Sequence, residues 1–462
     1  MYKKMIQHQI FFDFLRFSIG SESEIPDSLI EADWKELYRI AQKQCLVGIL
    51  FDGIQRLPSS NVGISRDLLL QWMAQCQMLE KANVRLNDAA IHVSEWFRKK
   101  GFRTCILKGQ GNALMYPNPY SRTPGDIDIW VEGGDKRIIS FVRSISPHEK
   151  ACYHHIEFPS YKGVEVEVHY RPSFLLCFWH NRKLQKYYER VKEELFSHRV
   201  MLGEQGEVAI PTAEFNLIFQ LTHIYAHLMN EGIGLRQLLD YYYVLCDFYK
   251  VYQNFSKTHP SSLTLKGGST AFPKPLFNGL YTPFGSPVSG GQKPQGTGDV
   301  TAPPRRSEPL RSKVGGPSKV SLDCAGWDRL SIEGDNSAGS TTVVTSSAST
   351  ALDVVQKELK ELGLWKFAEG IMYIMQKVFG MPASRLIVPP NEKYGKFMLN
   401  EVLEAGNFGR HDARNRFGKS QLGHNLQRVY RDIRLVRYFP AEALSEPFFR
   451  VWHFFWRMKN KK

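Results

Sequence analysis

The sequence predicts an α+β protein: a small sheet flanked by N- and C-terminal helical regions, with a long disordered insertion in the second. Three observations predict it. Apolar residues recur at helical spacing over about residues 1–100, the period shortens to two over about 101–182, and helical spacing returns from about 183. That return is interrupted over about 256–350, where Pro, Gly, Ser and Thr dominate and no hydrophobic period persists.

The elements follow in order. MYKKMIQHQIFFDFLRF is too polar for a signal-peptide core and reads as an amphipathic helix. Asp33-Trp34 opens a helical segment through DWKELYRIAQKQCLVGILFDGIQRL, with Leu37, Ile40, Ala41, Cys45 and Gly48 on one stripe. A second helix is predicted from about Arg66 to Lys100, capped by Gly101. Three short strands come next: Arg103–Leu107, Asp126–Val131 and Val164–His169, the last two alternating acidic with apolar residues. A helix from about Asp135 to Ser144 separates the second strand from the third. Helices resume near Lys183, run amphipathically over Thr212–Tyr252, and start again near Ala351.

The domain expectation is therefore 1–100 helical, 101–182 sheet-bearing, 183–255 and 351–462 helical, and 256–350 inserted. A loop of that length is foreign to a compact domain, and its composition cannot bury a core. It reads either as a regulatory or partner-binding segment or as the translated scar of a DNA insertion, with no catalytic role. The C-terminal stretch ending FFRVWHFFWRMKNKK is basic and aromatic. It fits an interfacial membrane helix, but the reading preferred here is a terminal helix burying its aromatics to close the core.

Composition narrows the function classes. Of the 462 residues, 43% are hydrophobic and 23% charged, ordinary values for a globular chain. The net charge of +14 suits a polyanionic partner such as a nucleotide, nucleic acid or lipid, or is simply background. Seven scattered cysteines, none in a Cys-x-x-Cys pair, argue against a zinc ribbon or disulfide framework and for reduced thiols in a cytoplasmic protein. No apolar run reaches the ~18 residues of a membrane span.

The chemistry sits in the strand region. Asp126 and Asp128, at i and i+2 of a strand, point to one face and can share divalent ions, Mg²⁺ or Mn²⁺, that carry a nucleoside triphosphate (NTP). Glu165 and Glu167 have the same spacing on the later strand. Glu167 is the candidate to complete the site and act as base. The turn Lys108-Gly109-Gln110-Gly111 leads from a strand toward a helix, a geometry that offers N–H groups to phosphate. Lys108 and Arg122 add positive charge, Arg122 as a fork. Four carboxylates on one sheet face would repel one another without a cation.

This order, Leu-Lys-Gly, then Arg122-x-x-Gly125-Asp126-Ile127-Asp128-Ile129, then Glu167-Val168-His169-Tyr170-Arg171, resembles the uncharacterised nucleotidyltransferases of the DNA polymerase β superfamily. The resemblance implies a minimal polymerase-β-like palm with a mixed sheet at 101–182. It implies metal binding by Asp126, Asp128 and Glu167, and triphosphate contacts by Lys108, Gly109, Gln110, Arg122 and Gly125. The helical segment with His227, Arg236 and Asp240 also resembles the family's continuation. The superfamily's Gly-Ser is Gly109-Gln110 here, so the serine hydroxyl is missing.

Other residues stay open between roles. Glu165, His169, His227, Arg236 and Asp240 are candidates for acceptor contact or for support of the acidic residues. His223 and His227 have the i, i+4 spacing of a metal pair, but reading them as buried histidines bonded to Asp240 or backbone is simpler. His154-His155 either contacts substrate or is a strand-edge pair. Arg236 and Asp240 either form a surface helix pair or line a cleft, with Arg236 on a phosphate. The expected activity is metal-dependent transfer of a nucleoside monophosphate to an unknown acceptor: a small molecule, a sugar or a protein side chain. The alternatives are an antitoxin-like or regulatory nucleotide-binding module acting on a partner without turnover, and nucleic-acid tailing, which is less favoured. Peripheral membrane contact through the C-terminus is likewise less favoured.

Overall fold

The computed structural model describes residues 2–58, 63–204, 206–258, 340–412, 414 and 421–460. The fold is mostly helical, with a small mixed sheet. At the N-terminus, α1 (Tyr2–Ile19) buries Phe11, Phe14 and Leu15 completely. The next segment splits into α2 (Trp34–Gln44) and α3 (Val47–Arg56), because Cys45 takes a left-handed φ of 56° and turns the chain. The single stripe expected through Cys45 and Gly48 is therefore two helices. The long α4 (Arg66–Lys99) starts on Ser65, whose side chain accepts from the Leu68 N–H, and ends before Gly101 at φ 80°.

The sheet follows with β1 (Thr104–Ile106), the single helical turn α5 (Gln110–Ala113), β2 (Ile127–Val131), α6 (Gly134–Ile145), β3 (His155–Tyr161) and β4 (Val164–His169). Strand order is β1-β2-β4-β3, with β2 and β4 parallel and both outer pairs antiparallel. Strand β3 was not expected. It is an edge strand carrying Pro159, and its register slips between Phe158 and Tyr161, so its alternation is blurred.

Helices return with α7 (Phe178–Ser197), but β5 (Arg199–Leu202) and β6 (Gly206–Ala209) form a hairpin where the sequence reads as helical. Then come α8 (Ala213–Asn230), α9 (Leu235–Thr258), α10 (Ser340–Glu361), α11 (Trp365–Phe379), α12 (Glu392–Ala405), α13 (Gln421–Val436) and α14 (Pro440–Lys459). The proposed disordered insertion lies mostly outside the described residues. At its edges α9 runs to Thr258 and α10 begins at Ser340, inside the bounds set for it.

Alternation along the strands sorts the sheet into two faces. Ile127, Ile129 and Val131 of β2, with Val164, Val166 and Val168 of β4, enter one core together with Ala90, Phe97 and Ile138 from α4 and α6. The other face carries Asp128 and Trp130, then Glu165, Glu167 and His169, toward the helical side. Trp130 belongs there to the larger core shared with α1–α3 and α7–α12. This polar face lies beneath a cleft.

The C-terminal helix departs from expectation. Phe449 and Trp456 pack inward, but Phe448, Phe454, Phe455 and Met458 are 52–79% exposed. The helix does not spend its aromatics on closing the core, because only one of its faces meets the rest of the fold.

Candidate active site

The parallel pairing of β2 with β4 sets Asp128 directly opposite Glu167 and Trp130 opposite His169. Asp126 precedes β2 by one residue. Carboxylate oxygens of Asp126, Asp128 and Glu167 lie within 4.8 Å of one another. Asp128 is buried, with its side chain 2% exposed, while the Glu167 side chain is 31% exposed.

Two cations brace this trio. Lys108 Nζ lies 3.0 Å from Asp128 Oδ2 and 3.2 Å from His223 Nε2. His169 Nε2 lies 2.9 Å from Asp128 Oδ1 and 3.4 Å from Glu167 Oε2. Burial opposes ionisation of Asp128, yet Lys108 and His169 hold its carboxyl well below the usual range. The Asp128 charge, followed by burial, pushes the neighbouring Asp126 up. Burial also opposes protonation of His169, but its bonds to Asp128 and Glu167 lift it to about 9. His155 Nδ1 stands 3.2 Å from Glu167 Oε2; burial, then the His169 charge, pull it down to about 4. Burial likewise keeps His154 and His223 well below the ordinary imidazole value.

The turn before β2 supplies the approach. Gly109 adopts φ 57° and ψ −108°, a conformation that disfavours any side chain, and lies against the Asp126 carbonyl. The expected helix after it is one turn, so it offers phosphate no developed helix N-terminus. Gln110 is buried and donates to Asn87 Oδ1 and the Asn83 carbonyl of α4. It points away from the cleft, which corrects its assignment to the nucleotide. Gly125 is exposed at the cleft wall.

Arg122 needs the larger correction. Its Nε and Nη2 donate to Asp240 Oδ1 and Oδ2, each at 2.8 Å, and Tyr116 Oη donates to Oδ1 at 2.6 Å. Arg122 and Asp240 are 2% and 4% exposed. The fork is thus spent on a buried carboxylate rather than held open for a triphosphate. Nor are Arg236 and Asp240 a surface pair. Arg236 is also buried, its Nε finds no protein acceptor, and its Nη1 reaches only the Thr123 carbonyl at 3.4 Å. Burial, then the nearby Arg122 charge, weaken its hold on its proton.

These groups border one cleft of about 590 Å³. Lys108, Gly109, Arg122, the acidic trio and Glu165 meet there with His227, Arg236 and Asp240. His227 Nδ1 faces Glu231 Oε2 at 3.5 Å, and neither it nor His223 bonds Asp240. Sequence reasoning missed the far wall, where Gln237, Arg428, Glu446, Phe449, Arg450 and His453 join. Apart from Gln237 on α9, these residues sit on α13 and α14, too far along the chain for any local pattern to flag them. His154 and His155, left open on sequence, also line the cleft.

No curated protein and no solved structure matches the chain. A family model described as uncharacterised nucleotidyltransferase matches residues 31–251, a span holding the whole sheet, the acidic trio and the α8–α9 wall. Over that span the chain is similar to the uncharacterised nucleotidyltransferase family.

Proposed function

We propose that this protein is a metal-dependent nucleotidyltransferase that moves a nucleoside monophosphate from an NTP to an acceptor, releasing pyrophosphate. The observation that carries the reading is the meeting of Asp126, Asp128 and Glu167 within 4.8 Å on one wall of the cleft. Hard carboxylate oxygens in that number suit Mg²⁺ or Mn²⁺. When bound, the ion would offset triphosphate charge and align the nucleophile.

The chain's own groups have separable roles in this reading. Asp126 and Asp128 hold the ion with Glu167. Glu167, the more exposed partner of the opposed pair, takes the acceptor's proton as the acceptor bonds to the α-phosphorus. The bond from the α-phosphorus to the bridging oxygen breaks, and its electron pair leaves with pyrophosphate. Lys108 supplies positive charge beside the trio, and Gly109 lets backbone approach without a side chain. Arg236, with a buried donor lacking a protein partner, replaces Arg122 as the phosphate-side guanidinium. The acceptor, a small molecule, a sugar or a protein side chain, would enter beside Glu165 and His155.

One observation favours a second reading, a nucleotide-binding module that acts on a partner without turnover. Lys108 and His169 already compensate Asp128 within the protein. The same experiment separates the two. Each α-³²P-labelled NTP is incubated with protein, Mg²⁺ or Mn²⁺ and cell lysate, for the wild type and Asp126→Asn/Asp128→Asn. Transfer of label by the wild type and its loss in the variant, by ~100-fold or more, is the expected result. Equal labelling by both refutes the catalytic assignment, and nucleotide binding without transfer by either selects the binding module.

A further inference from the structure

The α13–α14 hairpin leaves apolar side chains with no described residue packed over them. On α14, Leu444, Phe448, Val451, Phe455 and Met458 recur at steps of four and three, which places them on one face. Each is 55–79% exposed. Packing is done by the opposite face, where Phe449 stacks on Phe174 at 5.1 Å between ring centroids and Trp456 meets the sheet-side core. On α13, Leu426, Val429 and Ile433 are 46–65% exposed. Phe178 and Trp179, 66% and 68% exposed, stand beside the start of α14, where the Cys177 N–H donates to Glu442 at 3.2 Å.

Charge decides what covers this face. The acidic residues of the two helices, Asp432, Glu442 and Glu446, are all buried. Arg437, one turn past Ile433, and Lys459, one turn past Phe455, are exposed on this side, and Lys461 and Lys462 follow in the sequence. The hairpin therefore presents apolar and cationic groups without an exposed carboxylate of its own. A second copy of the same face would set cations against cations. An anionic lipid surface satisfies both components, since Phe and Trp settle at the head-group boundary while Arg and Lys meet phosphate.

We propose that the α13–α14 hairpin is a peripheral docking surface for bilayers containing anionic phospholipid. No helix among the described residues is long and apolar enough to cross a membrane, so the hairpin lies along the surface. Glu446, Phe449, Arg450 and His453 of α14 also border the cleft. Docking thus holds the cleft within about one helix diameter, ~10 Å, of the lipid. The inference is independent of nucleotidyl transfer.

The test is flotation of the full chain with phosphatidylcholine vesicles, with and without about one third phosphatidylglycerol. The protein is expected to float with the anionic vesicles and to be released by ~1 M salt. Phe448→Ser/Phe455→Ser is expected to abolish flotation. Arg437→Gln and Lys459→Gln should each weaken it about fivefold. These side chains are exposed, so melting curves should match the wild type; the Arg and Lys variants still test the proposal if the Phe pair alters folding. Failure to float, or equal binding to neutral vesicles, overturns the proposal. So does a dimer that the Phe substitutions dissolve, or binding to polyglutamate that matches binding to vesicles and ignores those substitutions.

Discussion

At the scale of single residues, the Arg122–Asp240 pair separates support from chemistry. Both charges are buried, and the carboxylate accepts two N–H bonds from Arg122 and one O–H bond from Tyr116. Removing one partner strands the other in a low-dielectric site, whereas an exposed helix pair contributes a few tenths of a kcal/mol. Asp240→Ala is therefore expected to lower unfolding free energy by about 3–5 kcal/mol in urea titrations. A loss below about 1 kcal/mol would return the pair to the surface class. Spacing alone could not decide this. Arg122 and Arg236 both look available in sequence, and only the fold gives Asp240 to the first and leaves a donor of the second unpartnered.

At the scale of elements, α3 props the loop that enters the site. A Cβ on Gly48 would fall 2.2 Å from the Ser121 carbonyl oxygen, so helix and loop touch through backbone. Asp52, one turn on, accepts from Ser121 Oγ at 2.8 Å and from Asn118 Nδ2 at 3.4 Å. Burial pushes this carboxyl up to about 6, against those bonds and the opposing charge of Arg56. A raised carboxyl means the native state holds the proton more tightly than the unfolded chain. Between the ordinary value near 4 and about 6, stability falls as pH rises, and above that window the cost is complete. Asp52→Asn removes the titration while keeping an acceptor. It should melt higher than the wild type at pH 7–8, with the gap closing as pH falls toward 4. A gap that is flat with pH, measured by thermal melts across that range, would refute the role of Asp52. Of the elements that escaped sequence reading, β5 and β6 are four residues each and outside the main sheet, and β3, seven residues long, lies at the sheet's edge. Alternation is too brief in β5 and β6, and in β3 too broken around Pro159, to outweigh neighbouring helical signals.

At the scale of the whole molecule, helices from distant parts of the chain share one core. Ala351, Val355 and Leu359 of α10 are buried in the cluster that also holds Leu238, Tyr241 and Leu245 of α9. The Pro, Gly and Ser composition between these helices offers no face to bury. Replacing residues 265–335 with a short Gly/Ser linker is expected to preserve folding. Shortening the loop about eightfold should raise stability by up to about 2 kcal/mol. Loss of the cooperative melt would show that the replaced stretch contributes to the core.

The acidic trio was legible because its signal is local: period-two alternation places Asp126 with Asp128, and Glu165 with Glu167, whatever surrounds the strands. The helical character of both flanks was legible for the same reason. What the tertiary structure alone decided is which distant groups meet that trio. Parallel pairing sets Asp128 against Glu167 and brings His169 between them. Folding also buries Arg122 on Asp240, turns Gln110 inward and brings α14 over the cleft. Those outcomes depend on burial and on contacts between residues up to several hundred positions apart, which no local period encodes.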